Sequence, residues 1–97
     1  MEITEVRVKL CNESILKGFA NVTFDHAFVV KGLKIIGRDN HLFVAMPSWR
    51  RPNGRFQDIA HPINSEMRRK IELSVLEAYE SARVREAKPV SPGKQQG

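Results

Sequence analysis

The apolar pattern of this chain changes period once, at the stretch HPINS, residues 61–65. Before it, apolar and polar side chains alternate, which is the period of a half-buried strand. After it, apolar residues recur every three or four positions, the period of an amphipathic helix. A chain with one such change buries its apolar side chains most simply as a sheet with a single helix laid across it. The fold class is therefore α+β: a small antiparallel β-sheet followed by a long C-terminal amphipathic helix.

The first part divides into about five strands. ITEVRVKL (3–10) alternates Val6, Val8 and Leu10 with Arg7 and Lys9. CNES then supplies turn residues. ILKGFANVTF (15–24) places Leu16, Gly18, Ala20, Val22 and Phe24 on one face. The small Gly18 and Ala20 there imply a close crossing or a bulge. Asp25 and His26 form a tight connection into AFVVKGLKII (27–36), whose nearly continuous apolar character marks an interior strand. GRDN (37–40) is a turn signal. HLFVAMP (41–47) gives a fourth strand ended by Pro47, and RFQDIA (55–60) a short fifth. Short connections favour a meander in which sequence neighbours pair in space.

In the helix, Asn64 or Ser65 supplies the side-chain oxygen that caps an orphan backbone N–H. Met67, Ile71, Val75, Ala78, Tyr79 and Ala82 then form an apolar stripe, widened by Leu73 and Leu76. A helix of about 22 residues is roughly 33 Å long. It covers one sheet face and leaves the other to water, a ligand or a second subunit.

Residues 1–86 read as one domain, and AKPVSPGKQQG (87–97) as a disordered tail. So small a domain gains from pairing strand edges or covering its open face, so a homodimer is expected. One cysteine, Cys11, cannot form an internal disulfide or a multi-cysteine zinc site, which fits a reducing cytoplasm. The charged, alternating start is not that of a signal peptide, and no apolar run is long enough to span a bilayer. No membrane partner, small-molecule substrate or cofactor is expected.

The net charge is +5, and its least diluted part is residues 38–64, with four arginines against two aspartates. Basic surfaces attract phosphate polymers. Within that segment, PSWRRPNGR (47–55) holds Trp49, Arg50, Arg51 and Arg55. Pro52, Asn53 and Gly54 make a turn, and a solvated turn accounts for them fully. It does not account for the arginines, whose guanidinium groups bind phosphate in bidentate fashion. Trp49 suits either stacking on a base or sugar, or a lid over the sheet edge. Arg68, Arg69 and Lys70 stand at the helix start, where the helix dipole disfavours cations. They read either as a solvated face, with Arg68 beside Glu72, or as a second basic cluster converging with the loop.

His26, His41 and His61 read as structural hydrogen-bonding groups. Asp58 and His61 are spaced to orient one another, but no nucleophile accompanies them at a strand-to-helix elbow. Metal binding would need three or four converging ligands, and there is no glycine-rich phosphate loop. The chain is therefore not expected to be an enzyme.

LFVAMPS, PNG within a basic turn, and FQDIAHPINS running into a helix together resemble the bacterial stage V sporulation protein G family, also called septation protein SpoVG. MEITEVRVKL and FDHAFVVKGLKIIG are similar to its first strands, and the resemblance runs from residue 1 to about 80. It implies a small α+β fold that assembles as a homodimer. It also implies a bacterial cytoplasmic regulator, linked to septation control during sporulation and to gene regulation through DNA and RNA binding. The basic loop and helix start are the parts associated with nucleic acid. The family's loop usually reads closer to Ser-Lys-Arg-Thr-Pro-Asp-Gly. Here Trp49 stands at the lysine, Arg51 at the threonine and Asn53 at the aspartate, so positive charge is kept and an aromatic is added.

Overall fold

A computed structural model describes residues 1–87 of the chain. Four strands, β1 (Ile3–Glu13), β2 (Leu16–Phe24), β3 (Phe28–Arg38) and β4 (His41–Ala45), form an antiparallel meander in sequence order. A separate two-stranded ribbon follows, β5 (Ser48–Arg50) with β6 (Phe56–Asp58), and then one helix, α1 (Ser65–Ala87). The α+β class is as expected, with an antiparallel sheet and a C-terminal helix. Ala87 is the helix's last residue, and the rest of the expected tail lies outside the described residues.

The turns explain the meander. Arg38 pairs with His41, and between them Asp39 and Asn40 both take positive φ, at 52° and 65°. That is the primed two-residue turn whose twist matches that of flanking strands, and Asp and Asn tolerate it best. Asp25 and His26 also take positive φ, each at 52°, within the three-residue connection between Phe24 and Phe28, where the Ala27 N–H donates to the Phe24 carbonyl at 2.9 Å.

Bulges then set the register. Gly18 lies between two register shifts, Leu10/Glu13 on one side and Leu16/Gly18 on the other. A Cβ at Gly18 would stand 2.9 Å from the Lys9 carbonyl oxygen. Of the two roles expected for it the small residue serves the bulge, and its close neighbour is the backbone of the paired strand β1 rather than a crossing element. On β3 a second bulge sets Lys31 and Gly32 against Asn21. Gly32 takes φ +86°, and its N–H donates to Asn21 Oδ1 at 3.2 Å.

One sheet face is the core. Ala20, Val22 and Phe24 of β2, Leu33 and Ile35 of β3, and Val44 and Met46 meet Ile71, Val75 and Tyr79 of α1. Val6, Val8 and Leu10 close the β1 side, and Met67 and Leu76 flank the helical stripe. Leu73, expected to widen that stripe, is instead 62% exposed. It lies about 200° around the helix from both Ile71 and Val75, too far from the seam to reach the sheet.

Asn64 is the cap. Its Oδ1 accepts the Met67 N–H at 2.7 Å, and its carbonyl accepts the Arg68 N–H at 3.2 Å. Asn64→Ala is expected to lower stability by about 1 kcal/mol. The check is a lower urea midpoint at unchanged m-value.

The main departure from the sequence reading follows Ala45. The expected fifth strand does not join the meander. Phe56–Asp58 pairs with Ser48–Arg50, a segment expected to be turn. Pro47 has no N–H to extend the ladder of β4 and is buried at the point where the chain leaves the sheet. Its carbonyl accepts the Ile59 N–H at 2.7 Å, which ties the two legs of the ribbon together at its base. All six strand residues of the ribbon are exposed, so it projects from the body.

Candidate nucleic-acid interface

The tip of the ribbon is built by backbone bonds. The Gly54 N–H donates to the Arg51 carbonyl at 2.9 Å, and the Arg51 N–H donates to the Arg55 carbonyl at 2.7 Å. Asn53 Oδ1 accepts the Arg55 N–H at 2.9 Å, and Gly54 holds φ +88°. Pro52, Asn53 and Gly54 thus make the bend, and their conformation needs no ligand.

Register decides which side chains share a face. Trp49 pairs with Gln57, and Arg50 pairs with Phe56. Strand alternation then places Arg51 and Arg55, opposed across the Arg51 N–H bond, on the face of Trp49. Arg50 and Phe56 lie on the other face. Trp49 is 48% exposed and Phe56 69%. Each face of the ribbon therefore carries one aromatic ring beside arginine. Phe56 was missed in the sequence because it reads as an ordinary strand residue until its partner strand is known.

The electrostatics of this tip are lopsided. Arg51 and Arg55 are like charges directly opposed, an arrangement that destabilises a strand pair by a few tenths to about 1 kcal/mol. Among the described residues, ion pairs form only at Arg7–Glu5, Arg68–Glu72 and Arg83–Glu80. The three loop arginines therefore have no carboxylate partner among those residues.

The helix start is different. Arg68 lies 3.6 Å from the Glu72 carboxylate, the solvated pairing anticipated for it. Arg69 and Lys70 are exposed. With about 100° between successive helical residues, Arg68 and Lys70 flank opposite sides of the Met67–Ile71 seam, while Arg69 points outward. No single helix face carries all three cations. Among the described residues, no hydrogen bond or ion pair joins this group to the ribbon tip.

The histidines are peripheral. His61 Nδ1 lies 3.0 Å from the Pro62 carbonyl oxygen, and no bond between His61 and Asp58 is present among the described residues. His26 contributes its backbone N–H to Thr4 Oγ1 at 2.9 Å. Among the described residues no three His, Cys, Asp or Glu side chains gather closely enough to hold a metal ion. No described helix is long and apolar enough to cross a membrane.

Comparison with known proteins gives this geometry its setting. The family model SpoVG matches residues 1–81. A protein of Clostridium beijerinckii is 53% identical over 83 residues, covering 84% of this chain and 91% of its own length. One from Thermoanaerobacter is 52% identical over 88 residues, covering 90% and 96%. One from Exiguobacterium is 55% identical over 80 residues, covering 81% of each. All three bear the provisional name septation protein SpoVG. On a family match across the sheet, the ribbon and most of the helix, and on identities above one half, the chain belongs to the SpoVG family.

Proposed function

We propose that this chain is a dimeric, cytoplasmic bacterial regulator that binds nucleic acid, DNA or RNA, through the tip of its β5–β6 ribbon. The carrying observation is the opposed pair Arg51 and Arg55. They sit on a projecting, exposed ribbon beside Trp49, with no carboxylate partner among the described residues. A phosphate between two guanidinium groups removes their repulsion and accepts bidentate bonds from each. Arg50 adds a third cation, and Arg68, Arg69 and Lys70 extend the positive surface as a broader field. Phosphate contacts position a ligand without reading its sequence, so modest sequence selectivity is expected.

The reading is tested by titrating random-sequence DNA and RNA at two salt concentrations, with Arg51→Ala/Arg55→Ala beside the unaltered chain. Binding that weakens with salt and is lost in the double variant supports it. Unchanged binding by the double variant removes the ribbon from the account.

Dimerisation is supported by apolar side chains left in the open. Phe28, Ile59 and Ile63 are 66%, 67% and 89% exposed. An apolar pocket of about 200 Å³, lined by Phe24, Phe28, Met46, Pro62, Met67 and Ile71 among others, opens at the same end of the core. Apolar surface of this kind marks an interaction site. Sedimentation at micromolar concentration is expected to give twice the chain mass, and a single-chain mass contradicts the dimer.

The same surface favours a second reading, a protein-interaction module acting on the septation machinery without nucleic acid. The names of the relatives point the same way. It predicts a captured division protein whose binding survives replacement of the loop arginines.

A further inference from the structure

The face of the meander turned away from α1 has its own chemistry. Pairing runs Lys9–Phe19–Lys34–Ala45 straight across the four strands, with Arg7–Asn21 on one side of that row and Ile36–Phe43 on the other. Cross-strand partners project to the same side of a sheet. The neighbours of this row in sequence, Val8, Ala20, Leu33 and Val44, point into the core. Lys9, Phe19, Lys34, Phe43 and Arg7 therefore share the uncovered face. Phe19 is 38% exposed and Phe43 46%. Lys9 and Lys34 form no ion pair among the described residues, whereas Arg7 is held by Glu5 at 2.9 Å.

We propose that this open sheet face is a stacking platform for single-stranded nucleic acid, with Phe19 and Phe43 taking bases and Lys9 and Lys34 taking phosphates. This rests on the ribbon reading above and makes the preferred ligand single-stranded. Two features select that occupant. The face is cationic, so it complements a polyanion and repels a second copy of itself. Its two rings are separated by a lysine-bearing strand, roughly 12 Å apart from strand spacing and rise. That interleaves aromatic and cationic groups, as sheet platforms for unpaired bases require. A duplex keeps its bases stacked inside and offers these rings nothing.

The test uses the full chain with a random 12-nucleotide strand and the duplex of the same sequence. Phe19→Ala/Phe43→Ala is expected to weaken single-strand binding by about 30-fold or more, and to leave duplex binding and the salt dependence unchanged. Lys9→Gln/Lys34→Gln is expected to reduce the log–log salt slope on the single strand by about 1.4. Photo-crosslinking of the unaltered chain to a bromouracil-substituted strand is expected to label peptides of β2 and β4, which keeps the proposal testable if a variant misfolds. Equal single-strand affinity with and without the two rings overturns the platform, while duplex binding that still needs the loop arginines leaves the ribbon standing. Equal losses on strand and duplex also overturn it, as does a ring variant that turns a dimer into monomers, since the face is then a self-interface. If the unaltered chain binds neither ligand, the platform and the ribbon reading fall together.

Discussion

Ile35→Ala is expected to lower the stability of the fold by about 3 to 4 kcal/mol. Ile35 is fully buried at the centre of β3, between β2 and β4 and beneath the helix, with Val44 as its partner on β4. Truncation removes the transfer free energy of the lost carbons and leaves a cavity. That cavity cannot collapse readily, because the bulges beside Gly18 and Gly32 fix the register around it. Domains of this size have about 5 to 15 kcal/mol in all, so the loss is a large share of the total. The measurement is urea unfolding followed by circular dichroism, with Leu73→Ala as the contrast. Leu73 is mostly exposed, and its replacement is expected to change stability by no more than about 0.5 kcal/mol. Similar losses for the two variants would mean that the helix does not meet the sheet along the Ile71–Val75–Tyr79 seam.

The second large effect concerns binding. Arg50→Ala/Arg51→Ala/Arg55→Ala is expected to weaken nucleic acid binding by about two orders of magnitude per engaged chain at 0.15 M salt. Each neutralised phosphate releases close to one counterion, a factor of roughly five at that salt concentration, and three such factors multiply. Stability is expected to stay within about 0.5 kcal/mol of the unaltered chain, since the three residues are exposed and support no part of the core. Removing the opposed Arg51–Arg55 pair relieves a like-charge repulsion and offsets part of any loss. Unfolding and binding measured on the same preparation separate a lost contact from a lost fold.

The sheet and helix were legible because two periods are written plainly into the chain. Val6, Val8 and Leu10 alternate with charges, and Met67, Ile71, Val75 and Tyr79 keep helical spacing up to the end of the core. The turns were legible because Asp39, Asn40 and Gly54 are residues that positive φ selects, while Asn53, expected to share it, serves its turn through its side chain instead. The ribbon was not, for a physical reason. Ser48, Trp49 and Arg50 bury nothing, so no apolar alternation betrays a strand there. What makes them one is the exit from the sheet at Pro47 and the tie from the Ile59 N–H to the Pro47 carbonyl, a contact between residues distant in sequence. Of the candidate site, the identity of the cations was readable and their grouping was not. Only register shows that Trp49, Arg51 and Arg55 share a face while Arg50 sits with Phe56. The arrangement of the helix start was not legible either, because Arg68, Arg69 and Lys70 are adjacent in sequence but diverge around the helix.

The most direct measurement is the salt dependence of binding to random-sequence duplex DNA, compared between the unaltered chain and the triple arginine variant. Three phosphate contacts per chain give a slope of log K against log salt near −2.7, and a dimer engaging both ribbons gives about −5. The expected slope lies in that range and flattens by roughly 2.7 for each engaged chain once the three arginines are gone. An unchanged slope and affinity in a variant that is still folded would contradict it.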